Sequence, residues 1–250
     1  MEPISNEDLQ ISASNVYYAD LDSSGEISVD GVIFADLAGK AESGQWNNDS
    51  WSSYTIPSET GLKQYYIKGE YTDEHFGTGK VIAPMEETSG NERFYVMALE
   101  DINPGTGYYW YNNASGNLDS SYNVSITAND FAVAGAKPTG RINTQRMITV
   151  WNAGSGTGGY GAQNARDMWG VIQEEVANGW FVPSKSEWSA FGAAFGITRS
   201  NYSSTFGLRG DYWSSSQYNT SRAYIANSNG GNIYDSPVLG PSSVRLATTF

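Results

Sequence analysis

The sequence predicts an α+β fold on two observations. Short apolar runs bounded by turn-forming residues recur along the chain, whereas only a few segments carry apolar residues at helical spacing. No internal repeat is visible and no linker divides the 250 residues cleanly. The expected organisation is a loose, polar N-terminal segment, 1–10, followed by one domain over 11–250. Eight Trp, seventeen Tyr and nine Phe would dominate its core.

The strand expectations rest on composition. Residues 31–38 contain Val32-Ile33-Phe34 and read as a strand, and 94–99 are apolar enough for a central one. Residues 39–53 read as a polar loop carrying Trp46 and Trp51, and 69–90 as mostly loop. Within a long excursion over 105–140, rich in Asn, Ser, Gly and Tyr, residues 123–127 read as a short strand.

The helix expectations rest on spacing and caps. Pro57-Ser58-Glu59 opens a short amphipathic helix to about Tyr66, with Leu62, Tyr65 and Tyr66 on one side. Residues 141–152 place Ile142, Met147, Ile148 and Trp151 at helical spacing before the Gly-rich stretch 154–159. Residues 167–178 have Asp167 as N-cap, a Met168, Ile172, Val176 stripe, and Gly179 as the terminating residue. Ser184 and Glu187 form a capping box leading into Trp188, Phe191 and Phe195.

Charge and composition exclude several functions. Only 16% of residues are charged, yet the net charge is −13, which argues against nucleic acid and anionic membrane as partners. There is no cysteine, so no disulfide, thiol nucleophile or zinc-thiolate site exists. The acidic N-terminus has no apolar leader, so either the chain is not exported by a cleaved signal or such a segment lay upstream. No apolar run is long enough to insert into a membrane.

Candidate chemistry is sparse. Asp20, Asp22 and Ser24 stand at positions 1, 3 and 5 of a calcium-loop pattern with Gly25 at 6, but Gly31 occupies the place of the closing Glu, with Asp30 beside it. A structural calcium is one reading and an Asp/Ser/Gly turn between strands the other. His75, the only histidine, suits surface or packing better than metal ligation. There is no Gly-x-Ser-x-Gly elbow and no phosphate-binding glycine loop. Carboxylate pairs such as Asp20 with Asp36, or Asp101 with Asp130, could serve glycoside cleavage, but their spacing singles out none. No catalytic residue and no cofactor is expected, and binding is the default.

The C-terminal segment, about 211–243, is the most informative. Tyr212-Trp213-Ser214-Ser215-Ser216-Gln217-Tyr218 and Ser243-Val244-Arg245-Leu246-Ala247-Thr248-Thr249-Phe250 flank a stretch rich in Gly, Asn, Ser and Tyr. Those types are favoured by binding loops, where Tyr supplies amphipathic area and the small polar residues supply adaptable hydrogen bonds. Between Tyr218 and Phe250 there is no Lys, Glu, Gln, Met or Trp, although these types fill 40 of the 250 positions. They are the types that no codon ending in a pyrimidine encodes. Replacement of both adenines in an Asn codon would therefore never produce them.

These blocks, with Trp180-Phe181-Val182-Pro183-Ser184-Lys185-Ser186-Glu187-Trp188 upstream, resemble the variable proteins of diversity-generating retroelements in gut bacteria and phages. The similarity runs from about Val16 to the end. Non-variable relatives, the formylglycine-generating-enzyme-like and Fibrobacter-paralogue domains, share the Trp-Ser-Ser and Val-Arg blocks. The resemblance implies a C-type lectin fold, short strands with two or three short helices and long loops, and a segment rewritten at adenines on an exposed face. It also implies a protein or glycan on a cell surface as partner, with the chain carried on a phage virion or bacterial surface.

The positions expected to vary and bind ligand are Ser221, Arg222, Ile225, Tyr234, Asp235, Ser236, Pro237, Leu239, Gly240, Pro241 and Ser242, sharing one solvent-exposed surface. Ala223, Ala226, Gly231, Ile233, Val238 and Ser243 suit a constant framework. Trp213, Val244, Leu246 and Phe250 are assigned to the core and Arg245 to a structural ion pair or hydrogen-bond anchor. Two other readings stand beside this one: an undiversified surface module of the same fold binding glycan or protein, and a carbohydrate-active enzyme.

Overall fold

Apolar strands and aromatic-rich helices sort the chain into two principal sheets around three apolar clusters. The structure, a computed structural model, describes residues 2–5, 7, 9–22, 25–86, 89–111, 139–153, 163–219 and 221–250. Its strands are β1 (Val16–Ala19), β2 (Gly31–Asp36), β3 (Glu42–Gln45), β4 (Ser53–Ile56), β5 (Tyr65–Asp73), β6 (Gly77–Pro84), β7 (Phe94–Ala98), β8 (Asp211–Asn219), β9 (Arg222–Asn227), β10 (Asn232–Pro237) and β11 (Ala247–Thr249). The helices are α1 (Thr139–Ala153), α2 (Met168–Val171), α3 (Gln173–Ala177) and α4 (Lys185–Ala194). The class is α+β.

The larger sheet has the order β11-β7-β2-β1-β6-β5, antiparallel except for the β1/β6 pair. Alternation along each strand sends Tyr18, Val32, Phe34 and Tyr95 into the cluster shared with Trp188 and Phe191 of α4 and with Phe195, which caps its end. The opposite face buries Tyr17, Ile33, Tyr65, Phe94 and Phe250. Ile4, Leu9 and Ile11 pack against that second face. The N-terminal segment, expected to be loose, carries bonds to the sheet: the Ile4 amide donates to Tyr65 O at 2.7 Å, and Arg93 donates to the carbonyls of Ser5 and Glu7 at 3.0 Å each.

Several local expectations hold. Glu187 N donates to Ser184 Oγ at 3.2 Å and Ser184 N to Glu187 Oε2 at 2.7 Å, closing the capping box. Residues 139–153 are helical, and Gly179 ends the following helical region at φ +95. That region is broken at Ile172 into α2 and α3, and Asp167 stands at its N-cap position without a side-chain cap bond. The Asp167 carboxylate instead accepts from the Asn164 amide and Trp151 Nε1, both at 2.9 Å.

Others are corrected. No helix forms over residues 57–66, because Tyr65 and Tyr66 enter β5 and pair with Pro84 and Ala83. Tyr65 is sandwiched by the rings of Phe94 and Phe250, so tertiary burial overrides the helical spacing. Residues 69–90 are largely the β5–β6 hairpin, whose tip is held by Asp73 Oδ1 accepting from the amides of His75 and Phe76. The presumed loop 39–53 contains β3, which pairs with β4. The segments 123–127 and 154–159 lie outside the described residues.

Candidate functional site

The smaller sheet, β10-β9-β8, is antiparallel and contains most of the C-terminal segment. Directly opposed residues share a face, so the register defines two surfaces. One face carries Tyr212, Ala226 and Ile233 against α4, then Tyr224 beside Asp235, then Arg222 beside Pro237 and Asn219. The other carries Trp213, Ile225 and Tyr234, then Gln217, Ala223 and Ser236. Trp213, Ala223 and Ile225 on that second face join Trp110 and Trp169 in the remaining cluster.

Five of the six framework residues, Ala223, Ala226, Gly231, Ile233 and Val238, are buried, and Ser243 is half-buried. Among the positions expected to vary, Ser221, Pro237, Leu239 and Pro241 are exposed. Arg222, Tyr234, Asp235, Ser236 and Gly240 are half-buried, while Ile225 and Ser242 are buried. Ile225 lies opposite both Trp213 and Tyr234, which seals it in the core. The strand pleat also places Tyr234 and Asp235 on opposite faces, so the eleven positions do not share one surface.

Polar pairing orders these side chains. The Arg222 guanidinium pairs with the Asp235 carboxylate, and its Nη2 donates to Asp235 O at 2.9 Å. Tyr234 donates its hydroxyl to Asp211 Oδ2 at 2.9 Å. Burial raises the Asp211 carboxyl pKa, which the Tyr234 hydrogen bond partly opposes. Burial, then the Asp211 contact, pushes the Tyr234 hydroxyl up to about 12.

Beside the Arg222–Asp235 pair is an aromatic patch that motif reading missed. Trp51 stacks on Tyr218 with centroids 6.0 Å apart and planes at 26°, and Tyr224 meets both edge-on, at 6.3 Å and 5.4 Å. Lys185 Nζ lies over the Tyr224 ring, 4.6 Å from its centroid, and burial lowers its pKa. Trp51 reaches this place because its loop is tied to the smaller sheet: Ile233 N donates to Ser52 Oγ at 2.8 Å, and Asn47 Nδ2 to Gly231 O at 3.0 Å. A tryptophan in a loop otherwise of Asn, Ser and Asp was the available signal.

The other candidate chemistry is occupied by structural pairing. Asp20 is buried, and its Oδ2 accepts from Lys68 Nζ at 2.7 Å and from the Ser28 amide at 2.9 Å, while its Oδ1 has no hydrogen-bond partner. The ammonium thus supplies one of the two positive charges a calcium would bring. Ser24 lies outside the described residues, and Asp22 is close enough to Asp30 and Lys68 to act electrostatically on both. Among the described residues no group of three or more His, Asp or Glu side chains is placed to hold a metal. Asp36 forms a buried pair with Arg93, and Asp101 with Arg245, whereas Asp130 lies outside the described residues. His75 faces Glu74 at 3.4 Å. No described helix is long and apolar enough to cross a membrane.

No family model matches the chain, and no similar protein was found among the curated ones.

Proposed function

We propose that the chain is a diversified ligand-binding protein of a phage virion or bacterial surface, built on a C-type lectin fold and recognising a protein or glycan. The observation that carries this reading is the gap between Tyr218 and Phe250, where no residue requires a codon ending in a purine. The structure supplies a physical basis for tolerance of such rewriting. Ala223, Ala226, Ile233 and Val238 hold the smaller sheet in the core, while Ser221, Pro237, Leu239 and Pro241 project from turns and ends whose replacement leaves that core intact. The proposed role is binding, and Asp20, Asp36 and Asp101, which each accept from a buried or half-buried cation, are read as ordering structure.

One observation favours a second reading, an undiversified module of the same fold. Random replacement at Ile225 or Ser242 would disturb buried packing. Sequencing the DNA beside the gene separates the two. Diversification requires a near copy of codons 211–250 that differs mainly at adenines, with a reverse transcriptase nearby. A neighbourhood holding neither would leave the undiversified module.

A further inference from the structure

Trp51 and Tyr218, with the half-buried Tyr224 edge-on to both, form an exposed aromatic surface beside the Arg222–Asp235 pair, and none of the three is among the positions expected to vary. We infer that this patch is a fixed platform for one sugar ring, a neutral or acidic pyranose, around which the exchangeable positions add selectivity. The inference rests on the binding role proposed above and names the ligand's chemical class.

Area is the first argument. Trp51 is 45% exposed and Tyr218 41%. At roughly 200 Å² per aromatic side chain, their exposed surface is somewhat under about 200 Å². A stable protein contact buries about 800 Å² on each partner, so the platform supplies only about a quarter of one. It is comparable with one or two sugar rings.

Chemistry is the second. A pyranose offers a face of C–H groups and a rim of hydroxyls, so it needs an accessible ring face beside fixed donors and acceptors. The Trp51–Tyr218 stack offers the ring surface. Arg222 and Asp235 hold one another in place, and a guanidinium and carboxylate so fixed retain spare donors and acceptors for adjacent hydroxyls. Their mutual pairing also limits the ordering cost on binding.

Charge is the third. Lys185 already covers the Tyr224 ring, so the cation site on that ring is filled, while Arg222 and Asp235 offset one another beside it. Such a setting disfavours quaternary ammonium or basic peptide ligands, which seek bare aromatic faces and nearby anions. Neutral and acidic sugars meet no such repulsion.

The test is saturation-transfer NMR of the full chain with oligosaccharides of glucose, galactose, mannose, N-acetylglucosamine, xylose and glucuronate. At least one should receive saturation at its ring C–H protons. Its binding should weaken by about tenfold or more in Trp51→Ala and in Tyr218→Ala, with Trp51→Phe retaining most of it. Both alanine variants should melt within a few degrees of the parent, because the side chains they remove lie at the surface outside the three buried clusters. The inference is overturned if no sugar in the panel responds, or if a response survives both alanine variants. A protein ligand whose binding needs Trp51 while every sugar stays silent would overturn the glycan platform and leave the diversified binding role standing.

Discussion

Arg245 donates from Nε to Asp101 Oδ1 at 2.7 Å, and both side chains are only 3% exposed. The Tyr212 hydroxyl donates to Asp101 Oδ2 at 3.1 Å, so one carboxylate ties the end of the chain to the first strand of the smaller sheet. Removing Arg245 would leave the buried carboxylate with only the more exposed Arg209, 3.8 Å from Oδ2, as a cation. Arg245→Met should therefore cost about 3 to 5 kcal/mol by urea unfolding, with part of the loss recovered in the Asp101→Asn, Arg245→Met double variant. A single-variant cost within ~0.5 kcal/mol of zero would show that the pair does not anchor the segment.

Framework and tips should respond differently to replacement. Trp213 is fully buried and its Nε1 donates to Tyr108 O at 2.7 Å, so Trp213→Ala should cost roughly 3 to 5 kcal/mol. Simultaneous replacement of Ser221, Pro237, Leu239 and Pro241 by Ala should shift stability by about 1 kcal/mol or less. Thermal and urea unfolding of the two proteins checks both expectations, and loss of folding in the fourfold variant would refute tolerance at the tips.

Glu187 should make stability depend on pH. Its carboxyl is wholly buried, and burial pushes its pKa from 4.5 up to about 7 against the opposing pull of the Ser184 and Gly140 amides. A raised folded-state pKa favours the protonated form. The contribution is thus fully present below pH 4.5 and is lost as pH rises through about 7, by on the order of 3 kcal/mol. Glu187→Gln removes the titration, and its unfolding free energy should vary less than the parent's across that window. Parallel profiles for the two proteins would refute the assignment.

The Lys68–Asp20 contact predicts indifference to calcium. With an ammonium 2.7 Å from Oδ2, neither calcium nor chelator should move the melting temperature, whereas Lys68→Met should lower it. A calcium-dependent rise abolished by Asp20→Asn would restore the metal reading of this loop.

Local signals in the sequence were legible where the interaction they encode is itself local. The Ser184–Glu187 box and the positive φ of Gly179 are settled within a few residues. Leu62, Tyr65 and Tyr66 fit helical spacing equally well, but burial of Tyr65 against Phe94 and Phe250 decides the conformation from outside the segment. The C-terminal framework was readable because Ala223, Ala226, Ile233 and Val238 are small or apolar residues within a polar stretch, and each is buried. The Trp51 platform was not, since a long-range tether through Ser52 and Asn47 brings that ring to Tyr218. Pleat direction also escaped the linear reading, which is why Tyr234 and Asp235 were expected together and stand on opposite faces.

The central claim, a constant framework carrying rewritten binding positions, is tested most directly by sequencing codons 211–250 from many isolates or from a growing population. The account predicts replacements concentrated at Ser221, Arg222, Asp235, Pro237, Leu239 and Pro241, drawn only from residues with pyrimidine-ending codons, while Ala223, Ala226, Ile233 and Val238 stay constant. Replacements spread evenly over buried and exposed positions, or the appearance of Lys, Glu, Gln, Met or Trp at the exposed ones, would contradict it.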